Sequence, residues 1–413
     1  MAARICLAFA AGDVARSADD RADLMRRRVF YIPGYDPIPP RRYRELYKRE
    51  GADQAAISGY TLTTGARDDR TGFGWGAGIE QDGHISTAEF EVLVWSDIVS
   101  RSMGQSVVAT YGQLLRTAWA YIASGALWRL MRLRRGPVIA ALYPIATLLA
   151  QAIVAVLAGW LAGWAASLVA TWWLGLPVAL TVFVLIMRQW PRMDRKVFAY
   201  YLMHDYAFTA RQNGAYPASL RERIDQFAER IATVAGEDWD EVLVIGHSSG
   251  AYIGVSVLAG LARAGRLTDK IAFLSLGHVV PMASFLPGAK GLRRDLHDLA
   301  ATDLTWVDVS APGDACSFGL CDPVAVSRCA PENGGGPLVL SAAFTQTLSP
   351  EKQRSMRFRW FRRHFQYLCA FDRPGDYDYF LITAGAQTLA ARFSGRHHSP
   401  GRIAVPANRW HHP

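Results

Sequence analysis

Between Gly136 and Met187 the chain carries no Asp, Glu, Lys, Arg or His, an uncharged run of 52 residues. One helix needs about 20 apolar residues to cross the hydrocarbon of a bilayer, so this run has room for two crossings and a short turn. The sequence places the first near Val138–Trp160 and the second near Ser167–Met187. Gly159, Trp160, Gly163, Trp164, Trp172 and Trp173 then gather about the turn, and tryptophan favours the interface, where its ring is half wet and half in hydrocarbon. The competing reading, a helical hairpin buried in a soluble core, fits poorly with an uncharged run of this length.

The charges lie where a membrane segment would want them. Arg129, Arg132, Arg134 and Arg135 precede the block, and Arg188, Arg192, Arg195 and Lys196 follow it. Positive charge on both flanks predicts that both ends stay on the cytoplasmic face. The stretch Leu114–Leu133 mixes Trp, Leu and Arg in a helical pattern; it either lies along the membrane surface or packs as an ordinary amphipathic helix on the domain. The formal charge of +9 is thus assigned to contact with membrane lipids rather than nucleic acid. Hydrophobic residues make up 51% of the 413, in keeping with a membrane segment added to a large core.

The remainder reads as α/β. Strands are expected at Arg28–Ile32, Tyr60–Thr64, Phe73–Glu80, Glu89–Trp95, Glu241–Ile245, Lys270–Leu276, Leu304–Val309, Met356–Trp360 and Tyr379–Thr383, and helices at Pro40–Glu50, Lys196–Gln212, Pro217–Ala235, Ala251–Ala264 and His364–Cys369. Such alternation predicts a mainly parallel sheet covered on both faces. The glycines at 72, 74, 76 and 78 alternate within a strand pattern and open no helix, which excludes a dinucleotide loop. Cys6, Cys316, Cys321, Cys329 and Cys369 form no C-x-x-C pair; free thiols are expected, with a disulfide or metal among Cys316, Cys321 and Cys329 as the alternative. The first residues faintly resemble a signal peptide, but the apolar stretch is short and Asp13 follows, which favours an unstructured lead-in. The expected organisation is residues 1–135 and 188–395 as two parts of one domain, 136–187 as the hairpin and 396–413 as a disordered tail.

The segment Glu-Val-Leu-Val-Ile-Gly246-His247-Ser248-Ser249-Gly250-Ala-Tyr-Ile-Gly contains G-x-S-x-G. The pattern alone is common. Here an apolar strand runs into it and a helical pattern runs out, the setting of a nucleophile elbow. The turn is sharp enough that side chains at 246 and 250 would collide, and glycine removes them. The helix begins behind Ser248, so its free N–H groups and positive end face an anion forming there. The alternative is a strand-turn-helix with incidental glycines.

With this elbow the chain resembles the α/β-hydrolase superfamily, the lipase and esterase class, over the stretches on both sides of the uncharged block. The resemblance implies an oxyanion hole from the loop after an early strand, here Pro33-Gly34-Tyr35, with the backbone amide of Gly34 or Tyr35 and that of Ser249 as donors. Pro33 stands where that family usually has histidine. The family order of serine, acid, histidine makes Asp314 the preferred acid, Asp308 the second choice and Asp322 the third, with His364 the base. His204 and His247 are read as structural, and His278 as pocket-lining or structural. The implied activity is cleavage of an acyl ester, of an amphiphilic or lipid-like substrate, through a Ser248–His364–Asp314 triad without cofactor or metal. An acyltransferase, thioesterase or peptidase on the same site, or an inactive membrane-bound interaction module, remain as alternatives.

Overall fold

The computed structural model describes residues 24–412 except 68, 70, 104, 105 and 170, and leaves the side chains of 195 and 196 undescribed. The N-terminal lead-in and Cys6 lie outside the described residues.

Eight strands form one sheet: β1 (Leu24–Ile32), β2 (Thr61–Gly65), β3 (Phe73–Gln81), β4 (His84–Val92), β5 (Glu241–His247), β6 (Ile271–Leu276), β7 (Thr305–Ser310) and β8 (Leu338–Ser341). Their spatial order is β2-β3-β4-β1-β5-β6-β7-β8. The pairs from β4 to β8 are parallel, and β2 and β3 add an antiparallel edge. The chain is therefore an α/β fold with a mostly parallel sheet. β5 is buried throughout, in keeping with the apolar run Val242–Ile245 at its centre.

Both faces are covered. Along β1, Phe30 and Ile32 point into one core layer and Val29 and Tyr31 into the other, the alternation imposed by the pleat. The first layer is closed by α7 (Ala218–Ala235), α8 (Gly250–Arg263) and α9 (Lys290–Ala300); the second by α1 (Arg41–Ser58) and the helix Tyr379–Ala384.

Between β4 and β5 lies a long helical insertion: α2 (Val107–Ala123), α3 (Ala126–Leu133), α4 (Arg135–Val169), α5 (Gly175–Val197) and α6 (Ala199–Ala210). Two helices, Arg135–Val169 and Trp172–Asp194, are long and apolar enough to cross a membrane, and only 22% and 6% of their most apolar windows are buried. The turn differs from the expected one. It falls at Thr171–Leu174, whereas Gly159 and Gly163 sit inside α4. A Cβ at Gly163 would lie 2.4 Å from the Gly175 carbonyl oxygen, and one at Gly159 2.6 Å from that of Ala179. These glycines let the two helices touch, as small residues do in helix pairs within lipid. The expected Leu114–Leu133 helix is two helices, broken near Gly125, whose φ is +71°.

Three further elements depart from expectation. Tyr379–Thr383 is helical, not extended, because the Asp378 side chain accepts from the Phe380 and Leu381 amides and caps a helix. Met356–Trp360 is a turn, with Phe358 at φ 64°, that leads into a short helix Trp360–His364. The tail from Arg396, expected to be disordered, runs back along the domain: Asn408 is buried and its Nδ2 donates to the Ser284 carbonyl at 2.9 Å.

Candidate active site

β5 ends at His247 and α8 begins at Gly250, leaving two residues to reverse the chain. Ser248 takes up that reversal at φ 58°, a left-handed conformation costly for a residue with a side chain. The flanking glycines are needed for it. A Cβ at Gly250 would stand 2.1 Å from the Ile32 carbonyl oxygen, and one at Gly246 2.6 Å from the Ala251 Cα. Ser249 heads α8, where the first amides have no acceptor within the helix.

β1 is the neighbour of β5, so the loop after Ile32 lies against this turn. A Cβ at Gly34 would come within 3.0 Å of the Ser248 Cβ, so only glycine lets the loop approach this closely. The loop is pinned by the Trp95 indole N–H donating to the Pro33 carbonyl at 2.9 Å, and by the Tyr201 hydroxyl donating to that of Tyr35. The Tyr35 amide donates to the Ser249 Oγ at 2.9 Å. One amide assigned to the oxyanion from sequence is thus taken by the Ser249 hydroxyl in this structure.

Asp314 follows β7 and His364 ends the short helix after Trp360. Their side chains meet, with 2.7 Å between His364 Nδ1 and Asp314 Oδ2. A proton on Nδ1, donated to the carboxylate, leaves Nε2 as an acceptor. Nε2 is buried and has no hydrogen-bond partner among the described residues. Burial by itself would raise the Asp314 carboxyl, but the His364 ring, the Cys316 amide and the Ser317 hydroxyl hold it below its ordinary value. The Tyr367 hydroxyl donates to the same carboxylate oxygen at 3.0 Å.

The other candidate groups go elsewhere. Asp308 is enclosed in β7, accepting from the Ser275 hydroxyl at 2.6 Å. Asp322 caps a short helix and pairs with Arg402. His278 Nε2 lies 2.8 Å from the Cys321 carbonyl oxygen, and His204 Nδ1 2.7 Å from the Gln113 Oε1. Burial, and then the nearby His364 ring, push the His247 imidazole down to about 3. It stays neutral and its Nε2–H reaches the His364 carbonyl at 3.1 Å, fixing the backbone that presents His364. The four described cysteines are free thiols.

Ser248, Ser249, His364, Gly34 and Tyr35 line one cavity of about 700 Å³, counting its mouth. Sequence reasoning missed two groups here. Tyr367, which holds the acid, lies three residues beyond His364, in a stretch expected to be a plain helix. Asp205, on α6, lines the same cavity; burial pushes its carboxyl up to about 7, although the His364 ring acts in the opposite sense. The helical pattern around Asp205 carries no sign that this position faces a site 43 residues further along the chain.

The arrangement has the parts of nucleophilic acyl chemistry: a hydroxyl lifted on a strained turn, a histidine with a free acceptor nitrogen, a carboxylate behind it, and helix-end amides beside it. No protein-family model, no curated protein and no solved structure gives a significant match to the chain.

Proposed function

We propose that the chain is a membrane-anchored serine hydrolase that cleaves an acyl ester. One observation carries this reading: Ser248, on its strained turn, and His364, backed by the buried Asp314, open into one cavity, with His364 Nε2 unpartnered among the described residues. Ser248 Oγ attacks the carbonyl carbon while His364 Nε2 takes its proton. The tetrahedral oxyanion is held by the Ser249 amide and by the Gly34–Tyr35 loop, whose Tyr35 amide turns to it from the Ser249 hydroxyl. The carbon–oxygen bond to the alcohol then breaks, and the alcohol leaves with the proton from His364. Water, deprotonated by the same nitrogen, attacks the acyl-serine and restores Ser248 with release of the acid. Asp314 keeps the imidazole oriented and balances its charge. His364 Nε2 has no partner among the described residues, and its hydrogen bond to the Ser248 hydroxyl forms when substrate binds, as catalytic hydrogen bonds often do.

Membrane anchoring is supported by the outward-facing apolar surface of α4 and α5. It is also supported by Leu115, Trp119, Ile122 and Trp128 on α2 and α3, which are exposed on the face turned from the body. Those two helices lie along the bilayer surface and the hairpin crosses it, with the active site on the cytoplasmic side. Fluorophosphonate labelling of the detergent-solubilised protein tests the chemistry. Ser248→Ala should abolish labelling and lower ester hydrolysis by about 10⁴-fold or more, while Ser249→Ala keeps both its amide and most of the labelling. Labelling that survives Ser248→Ala and is lost in Ser249→Ala would overturn the reading.

A further inference from the structure

A second cavity lies behind the first. It spans about 520 Å³, counting its mouth, and is walled by α2, α3, α4 and α6, helices of the insertion rather than of the sheet domain. Its lining includes Ala118 and Tyr121 of α2, Leu130 of α3, and Ala141 and Ile145 of α4. The Tyr121 hydroxyl is engaged by the Met282 carbonyl at 2.9 Å, so it offers little to a polar ligand. Tyr206 and Met282 line both cavities; they are the wall between the apolar space and the one holding Ser248. The base of α4 lies beside the acid loop, since a Cβ at Gly136 would fall 3.3 Å from the Ala315 Cα.

Resting on the hydrolase reading above, we propose that this second cavity receives the acyl chain of the substrate, a single long aliphatic chain that reaches Ser248 past Tyr206 and Met282. Three features commit it to that occupant. The space abuts the nucleophile's cavity through a shared wall. It is lined almost wholly by apolar side chains. Its walls are the helices that continue into the hairpin, and Ile122 and Leu142, which also line it, are themselves exposed. A chain leaving the bilayer beside α4 therefore lies against apolar surface as far as Tyr206 and Met282, beyond which its carbonyl enters the cavity of Ser248. The sheet domain supplies the chemistry, and the insertion selects chain length.

The test uses the full chain in lipid nanodiscs and two fluorophosphonate probes, one ethyl and one dodecyl. The wild type should react with the dodecyl probe at least tenfold faster, since each buried methylene favours binding by roughly fourfold at most. Ala141→Trp fills the cavity; it should lower the dodecyl rate at least tenfold and leave the ethyl rate within about twofold. An equal loss with both probes signals a misfolded variant, and Ala118→Phe on the opposite wall then decides by the same criterion. A dodecyl preference unchanged in folded, cavity-filled protein, or no preference in the wild type, overturns the proposal while the hydrolase reading stands. If neither probe reacts, the hydrolase reading falls. Binding of a fluorescent hexadecanoic acid by wild type, and its loss in Ala141→Trp, then decides whether the cavity holds a chain; no binding rejects it.

Discussion

Asp205 is the residue whose chemistry most needs an account. It lines the cavity of Ser248 and His364 and, with a folded value of about 7 against about 4 in an unfolded chain, it holds a proton that the unfolded chain has already released between those pH values. The sign follows: its contribution to stability is complete below about pH 4 and is lost as pH rises to about 7. Asp205→Asn should flatten the melting temperature across that window and stabilise the protein at pH 8; a wild-type-like pH profile in the variant would refute this. Asp314→Asn should lower turnover by about 10³–10⁴-fold with the fold intact, and Asp308→Asn should do much less, because Asp308 bonds within the sheet to Ser275. Turnover lost more heavily in a folded Asp308→Asn protein would exchange the two roles. The elbow was legible in the sequence because its requirements are local: two glycines, a strand before and a helix after. The Asp314–His364 contact was reachable through the order of residues, helped by the loop position of Asp314. Asp205, Tyr367 and the Ser249–Tyr35 bond left no sequence mark, since each depends on segments brought together only by the fold.

Among the elements, hydrophobic pattern located most long helices and the buried strands, passed over the helix Lys290–Ala300, and failed where one polar contact or one close approach decides. The sequence Tyr379–Thr383 is rich in aromatic and branched residues, yet capping by Asp378 makes it a helix. Gly159 and Gly163 resembled turn residues, yet they are the seam of the hairpin. A Gly163→Leu substitution should therefore force α4 and α5 apart and lower the melting temperature in detergent, while Ser248 still labels; the two effects are read on the same sample. Short β8 was not foreseen, as its four residues carry too little pattern to register. β1 and β5 are also joined by a buried ion pair, with Arg27 Nε 2.5 Å from Glu241 Oε2. Glu241 further accepts from the Leu389 amide at 2.6 Å, and Arg27 donates to the Gly385 carbonyl at 3.0 Å. Removing one partner should cost about 3–5 kcal/mol by stranding the other charge, whereas Arg27→Met with Glu241→Leu should recover only part of it, because the Leu389 amide and the Gly385 carbonyl then lose their partners. Denaturant titration of the single and double variants distinguishes a structural pair from an indifferent one.

At the scale of the whole molecule, the insertion has two halves with different duties. The base of α4 buries Pro137, Val138, Ala140, Pro144 and Leu148, whereas the far half presses its glycines against α5. Replacing residues 153–185 by a short Gly-Ser turn should release the protein from membranes yet preserve Ser248 labelling, checked by flotation of vesicles. Reporters fused at either end should both report the cytoplasmic side; activity of a periplasm-specific reporter would overturn the topology. The insertion also imposes a timetable. Arg27 and Glu241 lie 214 residues apart, and β1 pairs with β5 across that whole distance. At about 5–20 residues per second, a ribosome needs roughly 10–40 s to pass from one to the other. Once Val92 ends β4, β1 to β4 are complete but the edge of β1 has no neighbour until β5 emerges, and an open edge is a template for the wrong partner. The nascent chain must carry the whole insertion while that edge stays open, so chaperone depletion during synthesis should reduce its yield more than that of a variant with the shortened hairpin.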